Sequence, residues 1–283
     1  MNPELLERLQ TTQQTLEPRF KALRGASAAL KQAIKLASDE KADALPMQKA
    51  LVKLQQATDL VGDEAMRAAT ENFRAETERA LDALAFEFAR DLKETFEGRG
   101  ETVTGRPPTL VVGWLLLNID IAARKAQWFY GKEALTRPLT LSIATIMQAY
   151  EQQKRAVEER SIDTDAFLGE LYRAWRELLE ERSRRRINLV ETYSRLVMNR
   201  QSARFWNAPS RGTFKDYERP LFVRDLAQAQ ASPVVTVDGQ RYRLRLGTAT
   251  KSQADSASRS IWLPSGPVDG EYYADITFEE APA

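Results

Sequence analysis

The feature that most constrains the fold is a heptad repeat of apolar residues near the start of the chain. Four leucines recur at intervals of seven: Leu9, Leu16, Leu23 and Leu30. Phe20 and Ile34 follow two of them by four residues, which completes the spacing of a coiled-coil seam. Gln13 and Ser27 occupy matching places and make the seam imperfect. Pro18 lies within the repeat and predicts a kink or a restart of the helix.

The helical pattern continues to about residue 97, with two interruptions. Residues 38–43 read as a break, and Pro46 suits the first turn of the next helix. Gly62-Asp63 is the second possible interruption, and a long helix is predicted from Glu64 to Phe96. A helix of ~35 residues is about 50 Å long. Two or three such helices folded back on each other would form a rod or hairpin and not a pocket.

After a Gly- and Pro-rich loop the composition changes to strand-forming residues. Thr109 to Ile121 and Lys125 to Tyr130 are predicted to form a β-hairpin, with a buried helix as the alternative. Helical spacing returns after Pro138, and Asp163-Thr164 suits a helix N-cap. The clearest hairpin has Asp238-Gly239 at its turn, the pair typical of type I′.

Two further strands are predicted at Ser260 to Pro264 and Gly270 to Phe278, after a Ser/Thr/Ala-rich linker over 247–259. The predicted fold is therefore α+β: mostly α with long coiled-coil-like N-terminal helices, a β-hairpin near 109–131 and a small C-terminal antiparallel β module. The predicted domains are a helical arm (1–100), a mixed domain with basic helices (101–230) and the β module (231–283).

Charge is distributed unevenly along the chain. The net charge is +1, yet residues 182–260 carry 16 basic and 6 acidic residues, a local excess of +10. Residues 261–283 carry five acidic residues and no basic ones. Such a basic segment suggests an anionic partner, while a solvated arginine-rich surface is the alternative.

Within the basic segment two groups are candidates for nucleic-acid contact. The first combines basic residues with interleaved aromatic ones, namely Arg182, Arg184, Arg185, Arg186, Arg200, Arg204, Arg211 and Lys215 with Phe205, Trp206, Phe214 and Tyr217. Arginines suit phosphates and aromatic rings suit base stacking. The alternative is a charged helix face paired with Glu177, Glu180 and Glu181, with the aromatic residues in the core.

The second group is a stripe on the predicted C-terminal hairpin. Arg241, Arg243 and Arg245 alternate with apolar residues, so period two places them on one face of a strand. This face could hold a phosphate backbone. It could equally pair with the acidic tail strand, whose acidic residues are Glu271, Asp275, Glu279 and Glu280, and this intramolecular pairing is slightly favoured.

Composition excludes several kinds of chemistry. The chain has no Cys and no His, so thiolate nucleophiles, disulfides and His-dependent triads are ruled out. It contains no phosphate-binding loop motif, so any nucleotide hydrolysis in its complex would belong to another subunit, such as a larger ATPase. A metal site would need carboxylates alone, with Asp120 and Glu133, or Asp269, Glu271 and Asp275, as candidates. No cofactor is expected.

The expected function is that of a non-catalytic assembly or accessory subunit of a bacterial multiprotein complex. Leu9, Leu16, Leu23 and Leu30 would bind a protein partner or a second copy, and the basic region would bind DNA or RNA. The alternatives are a metal-dependent carboxylate nuclease or phosphodiesterase, and a purely structural coiled-coil protein. The N-terminus lacks a signal peptide pattern and the longest apolar run is too short for a membrane helix, so a cytoplasmic location is expected.

Overall fold

The structure is a computed structural model that describes residues 3–39, 43–181 and 186–282. The chain divides into two compact units. The first holds the chain through Thr95 together with 106–108 and 120–125, and the second holds 96–105, 109–119 and 126–283. The α+β class predicted from the sequence is confirmed. None of the described helices is both long and apolar enough to cross a membrane.

Three helices build the first unit: α1 (Pro3–Ala37), α2 (Ala44–Val61) and α3 (Glu64–Glu97), of which the last two residues belong to the second unit. The side chain of Asp43 caps α2 by accepting a hydrogen bond from the Leu45 amide, and Asp63 caps α3 through the Met66 amide at 2.7 Å. The predicted interruption at Gly62-Asp63 is confirmed. Pro18 lies inside α1, which runs through it without a restart.

Small residues bring α1 and α2 together. Ala26, Ala29 and Ala33 of α1 are buried in one cluster with apolar residues of α2, including Leu54. Residues of α3 join the same cluster, and the buried hydroxyls of Thr58 and Thr70 share a hydrogen bond of 2.8 Å. The face of α1 that packs internally is thus mainly an alanine face, and of the four seam leucines Leu30 is the one that packs against this cluster.

The second unit begins with an antiparallel sheet. Its strands are β1 (Val103–Arg106), β2 (Thr109–Val112), β3 (Leu115–Asp120), β4 (Lys125–Tyr130), β5 (Glu133–Ala134) and β6 (Leu139–Thr140). The strands run in the order β1-β2-β3-β4-β5, and β6 also pairs with β4. The hairpin predicted near 109–131 is present, but its first strand is split in two. Gly113 has a φ of +58° and turns the chain back, so β2 pairs with β3.

Helices return after this sheet: α4 (Ile143–Gln153), a π-helical turn (Lys154–Glu158), α5 (Thr164–Glu181), α6 (Leu189–Asn199), α7 (Ala203–Asn207) and α8 (Arg219–Ala229). Asp163 caps α5 as predicted, by accepting a hydrogen bond from the Ala166 amide at 3.0 Å. The apolar stripe of α5 is buried and includes Leu168, Leu171 and Trp175.

The second sheet holds β7 (Ile187–Asn188), β8 (Val234–Val237), β9 (Gln240–Thr248), β10 (Ile261–Pro264) and β11 (Gly270–Glu280), with the four-residue helix α9 (Lys251–Ala254) between β9 and β10. Its order is β10-β11-β9-β8, and β7 also pairs with β11. Asp238 and Gly239 both have positive φ, as the predicted type I′ turn requires. Tyr172 and Trp175 of α5 contact the ring of Phe278 at 5.3 Å and 5.5 Å, so this sheet packs on the helices.

Candidate functional site

A closed surface loop, residues 202–215, is the strongest candidate site; we call it the basic loop. Gln201 directly precedes the loop and is buried. The side-chain nitrogen of Gln201 donates to the Lys215 carbonyl and its side-chain oxygen accepts from the Lys215 amide, each at 2.8 Å. These two hydrogen bonds join the ends of the loop.

Hydrogen bonds inside the basic loop fix its backbone. The Ser202 carbonyl starts the short helix α7 by accepting from the Phe205 amide at 2.9 Å. Further along, the Thr213 hydroxyl accepts from the Ser210 amide at 3.0 Å and donates to the Ala208 carbonyl at 2.9 Å. The loop therefore has a defined conformation although most of its side chains are exposed.

Three aromatic rings cluster in the basic loop. The Phe205 ring meets Trp206 at 5.3 Å and Phe214 at 5.6 Å, both edge to face. Phe205 is half-buried, whereas Trp206 is 57% exposed and Phe214 is 37% exposed. Exposed aromatic rings on an ordered loop are suited to stacking on a ligand.

All charged residues of the basic loop are basic. Its charged residues are Arg204, Arg211 and Lys215, and it contains no acidic residue. All three are exposed. They have no ion-pair partner within residues 3–39, 43–181 and 186–282. Their charges are therefore available to an anionic ligand.

Arg200 was predicted with this group, but the structure places it in an internal contact. Its guanidinium meets the carboxylate of Glu170 through Nε at 2.7 Å and Nη2 at 2.6 Å. It also lies over the ring of Tyr217 at 4.0 Å. These contacts make Arg200 a support of the loop and leave less of its charge for a ligand.

A buried polar network lies beside Arg200. Asp225 is 1% exposed and accepts three hydrogen bonds: from Arg160 Nε at 2.9 Å, from Arg160 Nη2 at 3.1 Å and from the Tyr217 hydroxyl at 2.6 Å. Burial and the carboxylate of Asp225 raise the pKa of Tyr217, so this hydroxyl stays protonated. The network anchors the chain directly after the basic loop.

The run Arg182, Arg184 and Arg185 lies outside the described residues. Arg186 is described and exposed. Arg195 lies on a helix face paired with acidic residues, as the alternative interpretation predicts. It contacts Glu177 at 3.2 Å and Glu181 at 2.7 Å.

The second predicted basic group lies on the open face of β9. Arg241, Arg243 and Arg245 are all exposed, while Leu244 between them is buried, so the predicted alternation is present. β11 lies beside β9, and Arg245 pairs with Glu279 at 3.3 Å. The predicted contact with the acidic tail is present for this arginine. Arg241 donates to the Pro282 carbonyl at 3.0 Å.

A cleft of about 850 Å³ lies elsewhere in the second unit. Trp114, Tyr130, Glu158 and Arg224 are among its lining residues. Burial raises the pKa of the Glu158 carboxyl, whose oxygen accepts a hydrogen bond from the Trp114 amide. Burial also raises the pKa of Tyr130 to about 12. No sequence pattern indicated this cleft, because its walls come from segments more than 100 residues apart.

Three of the five carboxylates considered as metal ligands each have a partner of their own. Asp120 accepts a hydrogen bond from the Ala123 amide at 2.8 Å, and Glu133 pairs with Arg219 at 2.8 Å. Glu271 accepts from the Tyr273 hydroxyl at 3.2 Å. Within the part of the chain that the structure describes, no three acidic residues are grouped as a metal site would require.

No protein-family model matches this chain, and no curated protein or solved structure matches it either.

Proposed function

We propose that this chain is a non-catalytic accessory subunit that binds single-stranded nucleic acid through the basic loop. The observation that carries the proposal is the loop itself: two exposed aromatic rings and three cations without an ion-pair partner among the described residues, on a backbone closed by Gln201. In single strands the bases are free to stack on aromatic side chains, and cations beside them can contact the phosphates. The stripe on β9 and Arg186 are secondary candidates for the same backbone.

The helical arm gives this subunit a means of assembly. The predicted interface residues Leu9, Leu16 and Leu23 are more than half exposed, and Leu30 is partly buried against the core of the first unit. We propose that this seam binds a protein within a bacterial multiprotein complex in the cytoplasm, where a partner such as an ATPase subunit would supply any nucleotide hydrolysis. No contact in the described residues favours the carboxylate nuclease alternative.

The test is titration of fluorescent single-stranded DNA and RNA with the full chain at several salt concentrations, followed by fluorescence anisotropy. Changing Arg204, Arg211 and Lys215 together to Gln should weaken binding and reduce the logarithmic salt slope by roughly 0.7 for each phosphate that is no longer neutralised. Trp206→Ala should cost about 1–3 kcal/mol of binding free energy and leave that slope unchanged.

A matched control changes the same number of exposed cations elsewhere. Lys21, Lys35 and Lys49 are exposed residues of the first unit, and their joint change to Gln alters net charge equally. If this control weakens binding as much as the loop variant does, binding reflects overall charge and the site assignment is wrong. Absence of salt-dependent binding by the unmodified chain would refute the proposal and favour the purely structural alternative.

A further inference from the structure

The N-terminal half of α1 lacks internal packing. Every residue from Glu4 to Lys21 is exposed, a stretch of about 27 Å at 1.5 Å per residue. The alanines that pack against α2 begin only at Ala26. In proteins most helical stability comes from the packing of an apolar face. The first half of α1 therefore offers a face for packing against another protein surface.

The exposed side chains on α1 include an apolar heptad pattern. The spacing alternates three and four residues through positions 6, 9, 13, 16, 20, 23, 27, 30 and 34, and apolar residues fill seven of these nine places. Six of the seven are 50–67% exposed: Leu6, Leu9, Leu16, Phe20, Leu23 and Ile34. A 3-4 alternation is the seam of a coiled coil.

The surface on this seam is large enough for a stable pair. If each of the six exposed apolar side chains loses roughly 100 Å² of surface, the seam buries about 600 Å² on each chain, the lower end of the range for a stable interface. The seam is offset from the alanine face because Ala26, Ala29 and Ala33 occupy other helix positions. Leu30, at the edge of the seam, packs against the core of the first unit, and the six other apolar residues stay exposed.

Charges beside the seam select the partner and its direction. Glu17 and Arg24 are exposed at equivalent flanking positions, and Arg19 lies on the opposite flank. In a parallel, in-register pair of α1 helices, Arg19 of one chain would lie beside Arg24 of the other, which is repulsive. In an antiparallel pair in which Phe20 faces the second chain's Leu23, Glu17 lies beside Arg24 twice by symmetry.

Moving this antiparallel register by one heptad removes the match. In one direction Glu17 would meet its own copy, and in the other Arg24 would. The matched register also gives the longest overlap, since Leu9 then faces Ile34 of the second chain. In addition, it places the unsupported half of each α1 beside the half that α2 supports in the other chain.

From the exposed seam and its complementary flanking charges, we infer that α1 binds α1 of a second copy of this chain as an antiparallel coiled coil, with Glu17 and Arg24 paired across the interface. The assembly role in the proposed function is then self-association, with a second copy of this chain as the partner of the seam. It is independent of nucleic-acid binding by the basic loop.

Sedimentation equilibrium of the full chain is expected to give a dimer, with twice the mass of the 32.1 kDa chain. Changing Leu16 and Leu23 together to Glu should give a monomer, while helical content by circular dichroism is retained because both side chains are exposed. The control changes Gln14 and Gln32 to Glu, which adds equal charge at exposed positions off the seam and should leave the dimer intact.

Direction is tested by cross-linking, which the absence of native cysteine makes simple. Leu9→Cys and Ile34→Cys chains, mixed and oxidised, should form the mixed disulfide, and neither should cross-link with itself. Arg24→Glu should weaken the dimer, and adding Glu17→Arg should restore it. A monomeric native chain, a Leu9→Cys self-disulfide, or a tighter Arg24→Glu dimer would each overturn the inference.

The two proposals fail separately in these experiments. A monomer that still binds nucleic acid with a loop-dependent salt slope would refute the antiparallel dimer alone. A dimer that binds neither DNA nor RNA would refute the proposed function of the basic loop and leave the inference on α1 standing.

Discussion

Replacing Gln201 by alanine should open the basic loop. The two hydrogen bonds between Gln201 and Lys215 close it, and each net hydrogen bond contributes about 1 kcal/mol. Gln201 also donates to the Val197 carbonyl of α6 at 2.7 Å, but that bond does not involve the loop. Opening therefore loses only the two bonds to Lys215, whose amide and carbonyl become hydrated. We expect about 2 kcal/mol for the pair, which is roughly a 30-fold shift of the opening equilibrium.

Native-state hydrogen exchange measures this directly. The Lys215 amide donates to Gln201 in the closed loop, so Gln201→Ala should speed its exchange roughly 30-fold. The affinity of this variant for nucleic acid should fall as well, because its open loop must then be ordered on binding. Gln152→Ala, at an exposed glutamine of α4, is the matched control. Exchange at Lys215 that stays within about twofold of the native rate would refute this account of the loop.

Three further changes test the second unit, which contains all five tryptophans and can be followed by their fluorescence during urea unfolding. Asp225→Asn should lower the free energy of unfolding by about 3 kcal/mol, the lower end for a broken buried ion pair because its arginine partner is partly exposed; a loss under about 1 kcal/mol would contradict this. Burial raises the pKa of Glu158 above its ordinary 4.5, so the folded chain binds this proton more tightly and the free energy of unfolding falls as pH rises from 4.5 through the folded-state pKa. Glu158→Gln should remove that part of the pH dependence, and an unchanged pH profile would argue against it. Gly131→Ala should destabilise more than Gly239→Ala: both have positive φ, but only at Gly131 would the new Cβ collide with the ring of Trp262. Equal losses would refute the steric argument.

The sequence predicted those features that depend on neighbours along the chain. The helical arm, the Asp238-Gly239 turn and the alternating arginines of β9 were predicted because period and turn chemistry are local. Leu9 and the other seam leucines were recognised for their spacing, although the sequence could not show that alanines would form the main contact with α2 and that Leu30 would join them.

Other features depend on contacts between distant segments and left no local pattern. A single glutamine has no sequence signature as a loop closure, so Gln201 was missed. The apolar run through Thr109–Ile121 concealed a turn at Gly113, since apolar residues lie on both sides of it. Arg200 and Arg204 look alike in the sequence. The contacts of Arg200 with Glu170, 30 residues earlier, and with the ring of Tyr217 distinguish the two in the structure.

The end of α3 has a consequence for how the chain can be divided experimentally. The ring of Phe96, in the last turn of that helix, contacts Tyr150 at 4.9 Å and Trp128 at 6.2 Å, and Phe96 is fully buried. A fragment that starts after Gly100 would leave a hole of phenylalanine size in the second unit, at a cost of roughly 3–5 kcal/mol. Any expression of the second unit alone should therefore begin several helical turns before Phe96. The helix can then form and place Phe96 against Tyr150 and Trp128.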